Sequence, residues 1–409
     1  MSEVSAQVQV LALAHGGASI CSARDAGKKV FVRYAIPGED LEVRIDTEEK
    51  NFCTGTLLRV ITPSPARVTP PCPYFGACGG CDAQQIEITK QRALKLAMIR
   101  DALRYQAGVK TIEPVLRGAE LPAFSYRNRI GLHLSAAGVL GFYRPGTREA
   151  LKIDECLICD ATINSALTAL QPLAKELAPT IAKIVVEHQE REPHLVLNVR
   201  EEFGPNDPAL AEAHALLSRS FRQMRFICGG QEIFFGPRTA HPAGHFSQVN
   251  AAGNQILIQL VLGHLDNTPL TELYAGSGNF TIPLAAKGIE VTAVEIDQAL
   301  VDYARSRLTE LGLSSRVRFE ISSCEKYVRS AQLAKTVLLD PPRIGAKEIV
   351  KRIDPQHTAR VIYVSCGLPT LCRDVQILGS RGFELKSIEF VDMFPQTHHV
   401  ETVSIFEAN

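Results

Sequence analysis

Two residues 26 positions apart, Asp340 and Cys366, both stand where an apolar run gives way to a loop. Cys366 ends Tyr363-Val364-Ser365-Cys366, and Asp340 ends Leu338-Leu339 ahead of Pro341-Pro342-Arg343. In an open α/β sheet, ligands and reactive groups gather outside the carboxyl ends of the strands, so a thiol there can act on a substrate as a nucleophile. A lone cysteine in such a place is more often a small apolar residue closing a strand. Here it has company. The run Met393-Phe394-Pro395-Gln396-Thr397-His398-His399-Val400-Glu401 sets an acidic residue just ahead of the apolar strand Thr402 to Phe406, in a loop rich in side chains that move protons. A nucleophile and a base are both available.

A third constellation supplies a binding site. Thr271-Glu272-Leu273-Tyr274-Ala275-Gly276-Ser277-Gly278-Asn279-Phe280 reads as a strand running into a glycine turn, followed by a helix over Thr281 to Lys287. Glycines there let backbone approach a ligand closely. The next strand, Val291 to Val294, ends in Glu295, 17 positions after Gly278, about where a βαβ nucleotide site needs a carboxylate for ribose hydroxyls. The pyrophosphate fingerprint is incomplete, because Phe280 and Thr281 follow Asn279. That disfavours a dinucleotide and favours S-adenosylmethionine, which has a ribose but no phosphate.

Cys72-Pro73-Tyr74-Phe75-Gly76-Ala77-Cys78-Gly79-Gly80-Cys81 places three thiols in a loop whose tight turns can gather them around one centre. Cys156 and Cys159 are the nearest sources of a fourth ligand. Four thiolates suit tetrahedral zinc or a cubane iron–sulfur cluster, and softness does not choose between them. The spacing is not the C-x3-C-x2-C of radical chemistry, so a structural site is expected.

The elements that must hold these groups follow from the pattern. Short strands over Val8 to Leu13, Ala18 to Ser22, Lys29 to Tyr34, Leu41 to Asp46 and Asn51 to Val60, with turns at His15-Gly16-Gly17, Asp25-Ala26-Gly27 and Ile36-Pro37-Gly38-Glu39, predict a small β-barrel. A linker over Ile61 to Pro65 follows. An amphipathic helix is expected from about Thr89 to Tyr105, with Leu94, Ala97, Met98, Ala102 and Leu103 on one face. From Tyr126 to about Glu232 strands such as His194 to Val199 mix with helices such as Thr162 to Leu177, the latter kinked at Pro172. The last 160 residues alternate strand and helix as a doubly wound sheet does.

The 409 residues have room for two or three domains. The polar start lacks the plan of a signal peptide and no run of 18 apolar residues exists, so a cytoplasmic protein without membrane association is expected. Eleven cysteines in a chain this long point to thiol or metal chemistry rather than a disulfide framework. Lys and Arg balance Asp and Glu at 44 each, so bulk charge gives no argument for nucleic acid. The distribution says more: between Lys90 and Lys152, 12 Lys or Arg face 4 Asp or Glu, interleaved with Tyr105, Phe124, Tyr126, Phe142 and Tyr143. Cations for phosphates and rings for unpaired bases are what looped RNA needs.

Together these motifs resemble the RNA uracil-5-methyltransferase family over nearly the whole chain, and most closely its iron–sulfur branch, which modifies 23S ribosomal RNA. Tyr126-Arg127-Asn128-Arg129, Gly141-Phe142-Tyr143 and Phe246-Ser247-Gln248-Val249-Asn250 also resemble family motifs. The resemblance implies a Rossmann-like catalytic domain over 245–409, a TRAM-type, OB-like RNA-binding barrel over 1–62, and a central α+β iron–sulfur domain over 63–89 and 121–244. A helix in 90–120 would pack on the catalytic domain. It implies a 4Fe-4S cluster on Cys72, Cys78, Cys81 and Cys156, with Cys159 spare. Gln248, Tyr274, Gly276, Gly278, Asn279, Glu295 and Asp340 would bind S-adenosylmethionine or hold the uracil. Cys366 would be the nucleophile and Glu401 the base, with Arg343 and His399 stabilising charge. The implied reaction is methylation of uridine C5 in 23S ribosomal RNA through a covalent Cys–C6 adduct, by a monomer that uses no DNA.

The family usually reads Ser-Cys-Asn-Pro-x-Thr where this chain has Ser365-Cys366-Gly367-Leu368-Pro369-Thr370, so a differently shaped loop after the thiol is expected. Ile321-Ser322-Ser323 stands where the family tends to carry a polar or acidic adenine-side residue, and no contact is assigned there. Two other readings stand beside this one. The first is a transfer RNA uracil-5-methyltransferase, whose branch generally lacks barrel and cluster; the second is a non-catalytic RNA-binding protein with a metal-stabilised module. Asp340-Pro341-Pro342 also resembles the amino-methyltransferases, but Arg343 stands in place of their aromatic residue.

Overall fold

The computed structural model of the protein describes residues 5–23, 28–189, 192–235 and 248–409. The expected turn at Asp25-Ala26-Gly27, the pair Phe246-Ser247 and the boundary near 244 lie outside these residues. The chain forms two compact units. One comprises Met1–Gln91, Pro122–Ala251 and Pro395–His398, the other Arg92–Leu121, Ala252–Phe394 and His399–Asn409.

The first unit opens with a closed barrel of β1 (Ser5–Leu13), β2 (Ala18–Ala23), β3 (Lys29–Arg33), β4 (Asp40–Glu48) and β5 (Phe52–Thr62), in the order β1-β2-β3-β5-β4. Alternation drives it: Val8 and Val10, Val30 and Val32, and Leu41 and Val43 are buried at every second position, and closure leaves no strand edge unpaired. Cys21 and Cys53 sit in this core, which accounts for them as packing. The expected linker begins as the end of β5 and is held at its far end, because buried Glu39 accepts Arg67 Nε at 2.6 Å and Ser64 N–H at 3.1 Å.

Helix α1 (Ile88–Ala102) and strand β6 (Val115–Arg117) come next, before the chain forms a mixed sheet in the first unit. That sheet comprises β7 (Arg129–Leu134), β8 (Leu140–Tyr143), β9 (Ala150–Lys152), β10 (Ile181–Gln189), β11 (Glu192–Val199), β12 (Gln223–Cys228) and β13 (Gln231–Phe235), ordered β13-β12-β11-β10-β7-β8-β9. Helices α2 (Ala161–Leu170) and α4 (Pro208–Leu217) cover its apolar face through Ile163, Leu167, Leu170, Leu210 and Leu217. The expected kink at Pro172 appears as a 3₁₀ turn, Gln171–Leu173, between α2 and the short α3 (Ala174–Leu177).

In the second unit, α5 (Ala251–Gly263) leads to an eight-stranded sheet that takes in β6. The sheet is ordered β16-β15-β14-β17-β18-β20-β19-β6. β14 (Leu270–Leu273), β15 (Val291–Glu295), β16 (Val317–Ile321), β17 (Thr336–Leu339) and β18 (Arg360–Ser365) run parallel, joined by α6 (Thr281–Ala286), α7 (Gln298–Glu310), α8 (Cys324–Ser330) and α9 (Lys347–Val350). After α10 (Leu368–Ser380), β19 (Phe383–Val391) runs in the same sense as β18, and β20 (Glu401–Ala408) returns antiparallel between β18 and β19. No helix of the described residues is long and apolar enough to cross a membrane.

Two sequence expectations change. Helix α1 stops at Ala102 and continues as a π-helical turn, Leu103–Ala107, which ends on Gly108 at φ +76°. The basic stretch is not one solvated face. Arg92 and Lys95 are buried and meet Asp392, at 3.2 and 2.7 Å, while Arg129 pairs with Glu187 and Arg117 with Glu389. Tyr126 is buried and donates its hydroxyl to the Pro395 carbonyl. Four of the twelve cations and one of the five aromatic residues are thus tied into the structure, while Tyr105 stays 77% exposed.

Fully buried Asp392 sits between two cations, so its removal leaves both charges in a dry interior without this carboxylate. Asp392→Ala should cost about 3–5 kcal/mol, read by urea denaturation, and Asp392→Glu should recover part of that loss.

Candidate active site

The site is built at the carboxyl edge of the parallel strands in the second unit. Leu273 pairs with both Val294 and Leu339, and Leu339 pairs with Tyr363. One step further along each strand, Tyr274, Glu295, Asp340 and Val364 fall in a row, with Cys366 two residues beyond Val364. β20 runs the other way, and its register sets Ser365 opposite Thr402. The next residues outward are Cys366 and Glu401, so the reversed strand delivers its first residue beside the thiol.

The glycine turn behaves as its sequence suggests. Tyr274 takes φ +65°, Gly276 +57° and Gly278 +90°, and a Cβ on Gly278 would lie 3.1 Å from the Ile282 side chain. Tyr274 N–H donates to Cys324 Sγ at 3.2 Å, and its hydroxyl meets Glu325 Oε1 at 3.3 Å. The Glu295 carboxylate accepts from Gly276, Ile296 and Asp297 N–H at 2.9, 2.8 and 2.9 Å, which fixes it against the turn. Asn279 forms a reciprocal side-chain pair with Asn254, a partner the sequence did not reveal. Gln248 is half-buried in the first unit, and Asn128 N–H donates to the carbonyl of neighbouring Val249 there.

Three carboxyls at this edge are pushed up by burial. Glu272 rises to about 8 and Asp340 to about 7, and Glu401, only 3% exposed, rises well above the ordinary range, with Asp340 adding to the rise and Arg343 opposing it. Thr281 Oγ1 donates to Glu272 at 2.6 Å. Burial also pushes the Cys366 thiol up to about 11, with Glu401 and Asp340 adding to the rise and Arg343 again opposing it. Cys366, Glu401, Asp340 and Arg343 thus act on one another as a single electrostatic group. His399 packs edge-on against Phe394, with ring centroids 5.8 Å apart.

The loop after the thiol is latched to the loop after Asp340. Thr370 Oγ1 lies within hydrogen-bonding reach of the Arg343 and Gly367 carbonyls, at 3.0 and 2.8 Å. A Cβ on Gly367 would come within 3.0 Å of the Arg343 carbonyl oxygen, so glycine here permits a close backbone approach. Fully buried Asp374 accepts Ala346 N–H at 2.8 Å and the Tyr363 hydroxyl at 2.7 Å. The sequence reading missed Asp374 and Arg373, and it named Thr370 only as the end of the motif after the thiol. The signal was an acidic residue within the apolar stripe Leu371, Cys372, Val375 and Leu378 of α10.

A separate cavity of about 170 Å³ lies in the first unit, lined by Cys72, Cys78, Cys81 and Cys156 together with Arg127, Phe142 and Ile153. Burial raises Cys78, and raises Cys81 to about 12. Cys156 is lowered to about 7 by its hydrogen bond with Cys159, which is buried beside it and does not line the cavity. Among the described residues no three His, Cys, Asp or Glu side chains are grouped so as to hold a single metal ion.

Residues 228–408 match the sequence profile of the tRNA (Uracil-5-)-methyltransferase family. Over the whole chain, the 23S rRNA (uracil(1939)-C(5))-methyltransferase RlmD of Shewanella amazonensis is 31% identical, covering 98% of this chain and 95% of that protein. The protein of the same name from Azoarcus sp. is 32% identical, covering 97% and 98%. Among solved structures, Pyrococcus abyssi tRNA (uracil-54, C5)-methyltransferase in complex with S-adenosyl-L-homocysteine superposes with a TM-score of 0.75 at 21% identity, over 98% of this chain and 99% of that one. That likeness shows the same fold from barrel to catalytic sheet.

Arg343 is the cation that opposes the rise of the Cys366 thiol. Arg343→Gln should raise that thiol further and slow its alkylation by iodoacetamide at pH 8, by about tenfold for each unit of upward shift. Peptide mass spectrometry of Cys366 across pH 7–10 reads this as a profile displaced to higher pH. A profile displaced to lower pH would contradict the role of Arg343.

Proposed function

Since the chain belongs to the RNA uracil-5-methyltransferase family, we propose that it methylates C5 of a uridine in 23S ribosomal RNA, with Cys366 as nucleophile and Glu401 as base. The observation that carries the reading is the strand register that sets Cys366 beside Glu401 at the edge of the sheet holding the glycine turn and Glu295.

The residues fit S-adenosylmethionine. The positive-φ turn from Tyr274 to Gly278 gives backbone access, and Glu295 uses three of its roughly four acceptor sites internally, leaving capacity for a ribose hydroxyl. Tyr274, Gly276, Gly278, Asn279, Glu295 and Asp340 would hold it. Bound there, it supplies an electrophilic methyl sulfonium for C5 of the base.

C5 of uracil is too weak a nucleophile to take that methyl unaided. The Cys366 thiolate adds to C6, and the electron pair displaced from the C5–C6 double bond makes C5 an enolate carbon. Once C5 carries the methyl group, Glu401 takes its remaining proton. The double bond re-forms and the C6–S bond breaks, returning the thiolate. Burial makes Glu401 a stronger base than a solvated carboxylate, as that abstraction requires. Arg343 stabilises the thiolate and offsets the nearby anions.

In the same reading Cys72, Cys78, Cys81 and Cys156 hold a 4Fe-4S cluster, and the barrel is a TRAM-type RNA-binding module. Four thiols that line one cavity support this reading, since soft thiolate ligands are what such a cluster takes. Such a cluster would clamp the cysteine loop to the β9–α2 segment. A transfer RNA target is the second reading, favoured by the shared fold of the Pyrococcus enzyme.

Nucleosides from cells with and without the protein test the reaction. Loss of 5-methyluridine from 23S RNA, restored by the unaltered protein but not by Cys366→Ala, is expected. Loss from transfer RNA would redirect the substrate, and no change in either RNA would sink the proposal. Iron and acid-labile sulfide should be present at about four each per chain in anaerobically purified protein, the stoichiometry of such a cluster. They should be lost in Cys78→Ser and kept in Cys159→Ser, whereas zinc without sulfide would contradict the cluster.

A further inference from the structure

The turn that carries Arg343, the cation acting on the Cys366 thiol, presents its neighbour Ile344 to solvent at 76% exposure. The turn is immobilised on every side. Gly345 N–H bonds back to the Pro342 carbonyl at 2.8 Å, and Gly345 takes φ +75°. The Arg343 carbonyl faces Thr370 Oγ1, the Ile344 carbonyl accepts Arg373 Nη2 at 3.0 Å, and Ala346 N–H is held by buried Asp374. These three anchors, Thr370, Arg373 and Asp374, lie on α10, the helix that starts immediately after Cys366 and Gly367. The thiol and the exposed isoleucine therefore share one rigid support.

A mobile apolar side chain would collapse onto the surface. This one is held out, and its β-branch limits χ1, so little side-chain entropy is lost when it meets a partner. The proposed chemistry supplies the partner. Cys366 can reach C6 only after the uridine has left its stack, which opens a gap between apolar base faces. Apolar side chains fill such gaps elsewhere in nucleic-acid recognition.

We propose that Ile344 is a specificity and positioning residue that enters the gap vacated by the target uridine and packs against the flanking bases of the RNA. The inference rests on the uridine reading above and deepens it.

The test compares two RNAs with the full-length protein. One is a 23S ribosomal RNA stem-loop that the protein methylates, and the other is the same stem-loop with abasic nucleotides on both sides of the target uridine, which leaves no stack to fill. Ile344→Ala should lower kcat/KM on the first by about tenfold, the scale of losing most of one buried aliphatic side chain, and change the second by less than about twofold. Ile344→Met should restore the first. Equal loss on both RNAs, no loss on the first, or failure of the unaltered protein on the abasic-flanked RNA would overturn the inference. Failure of the unaltered protein to methylate any ribosomal or transfer RNA would overturn the uridine reading itself.

Discussion

The reversal of one strand is the constraint on which the site depends. In a fully parallel sheet every carboxyl end would deliver its own loop, and a base for Cys366 would have to come from a loop of uncertain reach. β20 instead runs against β18, so its first residue arrives at the edge where β18 ends, and the pairing of Ser365 with Thr402 fixes Glu401 beside Cys366. Pairing of β20 with β19 on its other side, with Glu401 opposite Val391, holds the register from both flanks. A slip of one residue would send Glu401 to the opposite face of the sheet.

Around that pair the structure accumulates buried carboxyls and supplies a cation, Arg343, that acts on both. Glu272, Asp340 and Glu401 are all held above the ordinary carboxyl range by burial, and the thiol is held high with them. Arg343 opposes the rise of both Cys366 and Glu401, while Asp340 adds to both. The Arg343 backbone is secured by Thr370, and the following residues are secured by Arg373 and Asp374. Gly367 belongs to the same arrangement. Its missing side chain lets the start of α10 approach the Arg343 carbonyl, which gives a physical reason for glycine where the family usually has asparagine.

Much of this was legible in the sequence because period and punctuation were strong. Alternating valines and regular turns marked the barrel, and its five strands lie within a few residues of their expected places. Gly276 and Gly278 marked a turn that does take positive φ, and Glu295 follows on the next strand. What could not be read depends on partners far away in the chain. Arg92 and Lys95 look like the solvated side of an amphipathic helix until Asp392, some 300 residues later, enters the same interior. Asp374 looks like a surface charge until Tyr363 and Ala346 close around it. Among the cysteines, spacing pointed to a metal-type site and left Cys156 and Cys159 open; the resemblance set Cys159 aside, and the cavity is lined by Cys156 and not by Cys159.

The central claim is that Cys366 bonds to the base and Glu401 releases it. RNA carrying 5-fluorouridine at the target tests this most directly, because the methylated C5 then bears fluorine and no proton for Glu401 to take. Incubation with S-adenosylmethionine followed by intact-mass and peptide analysis should give a stable protein–RNA adduct that contains the transferred methyl group, attached at Cys366. An adduct at another cysteine, or methyl transfer to unsubstituted RNA by Cys366→Ala at the unaltered rate, would contradict the account.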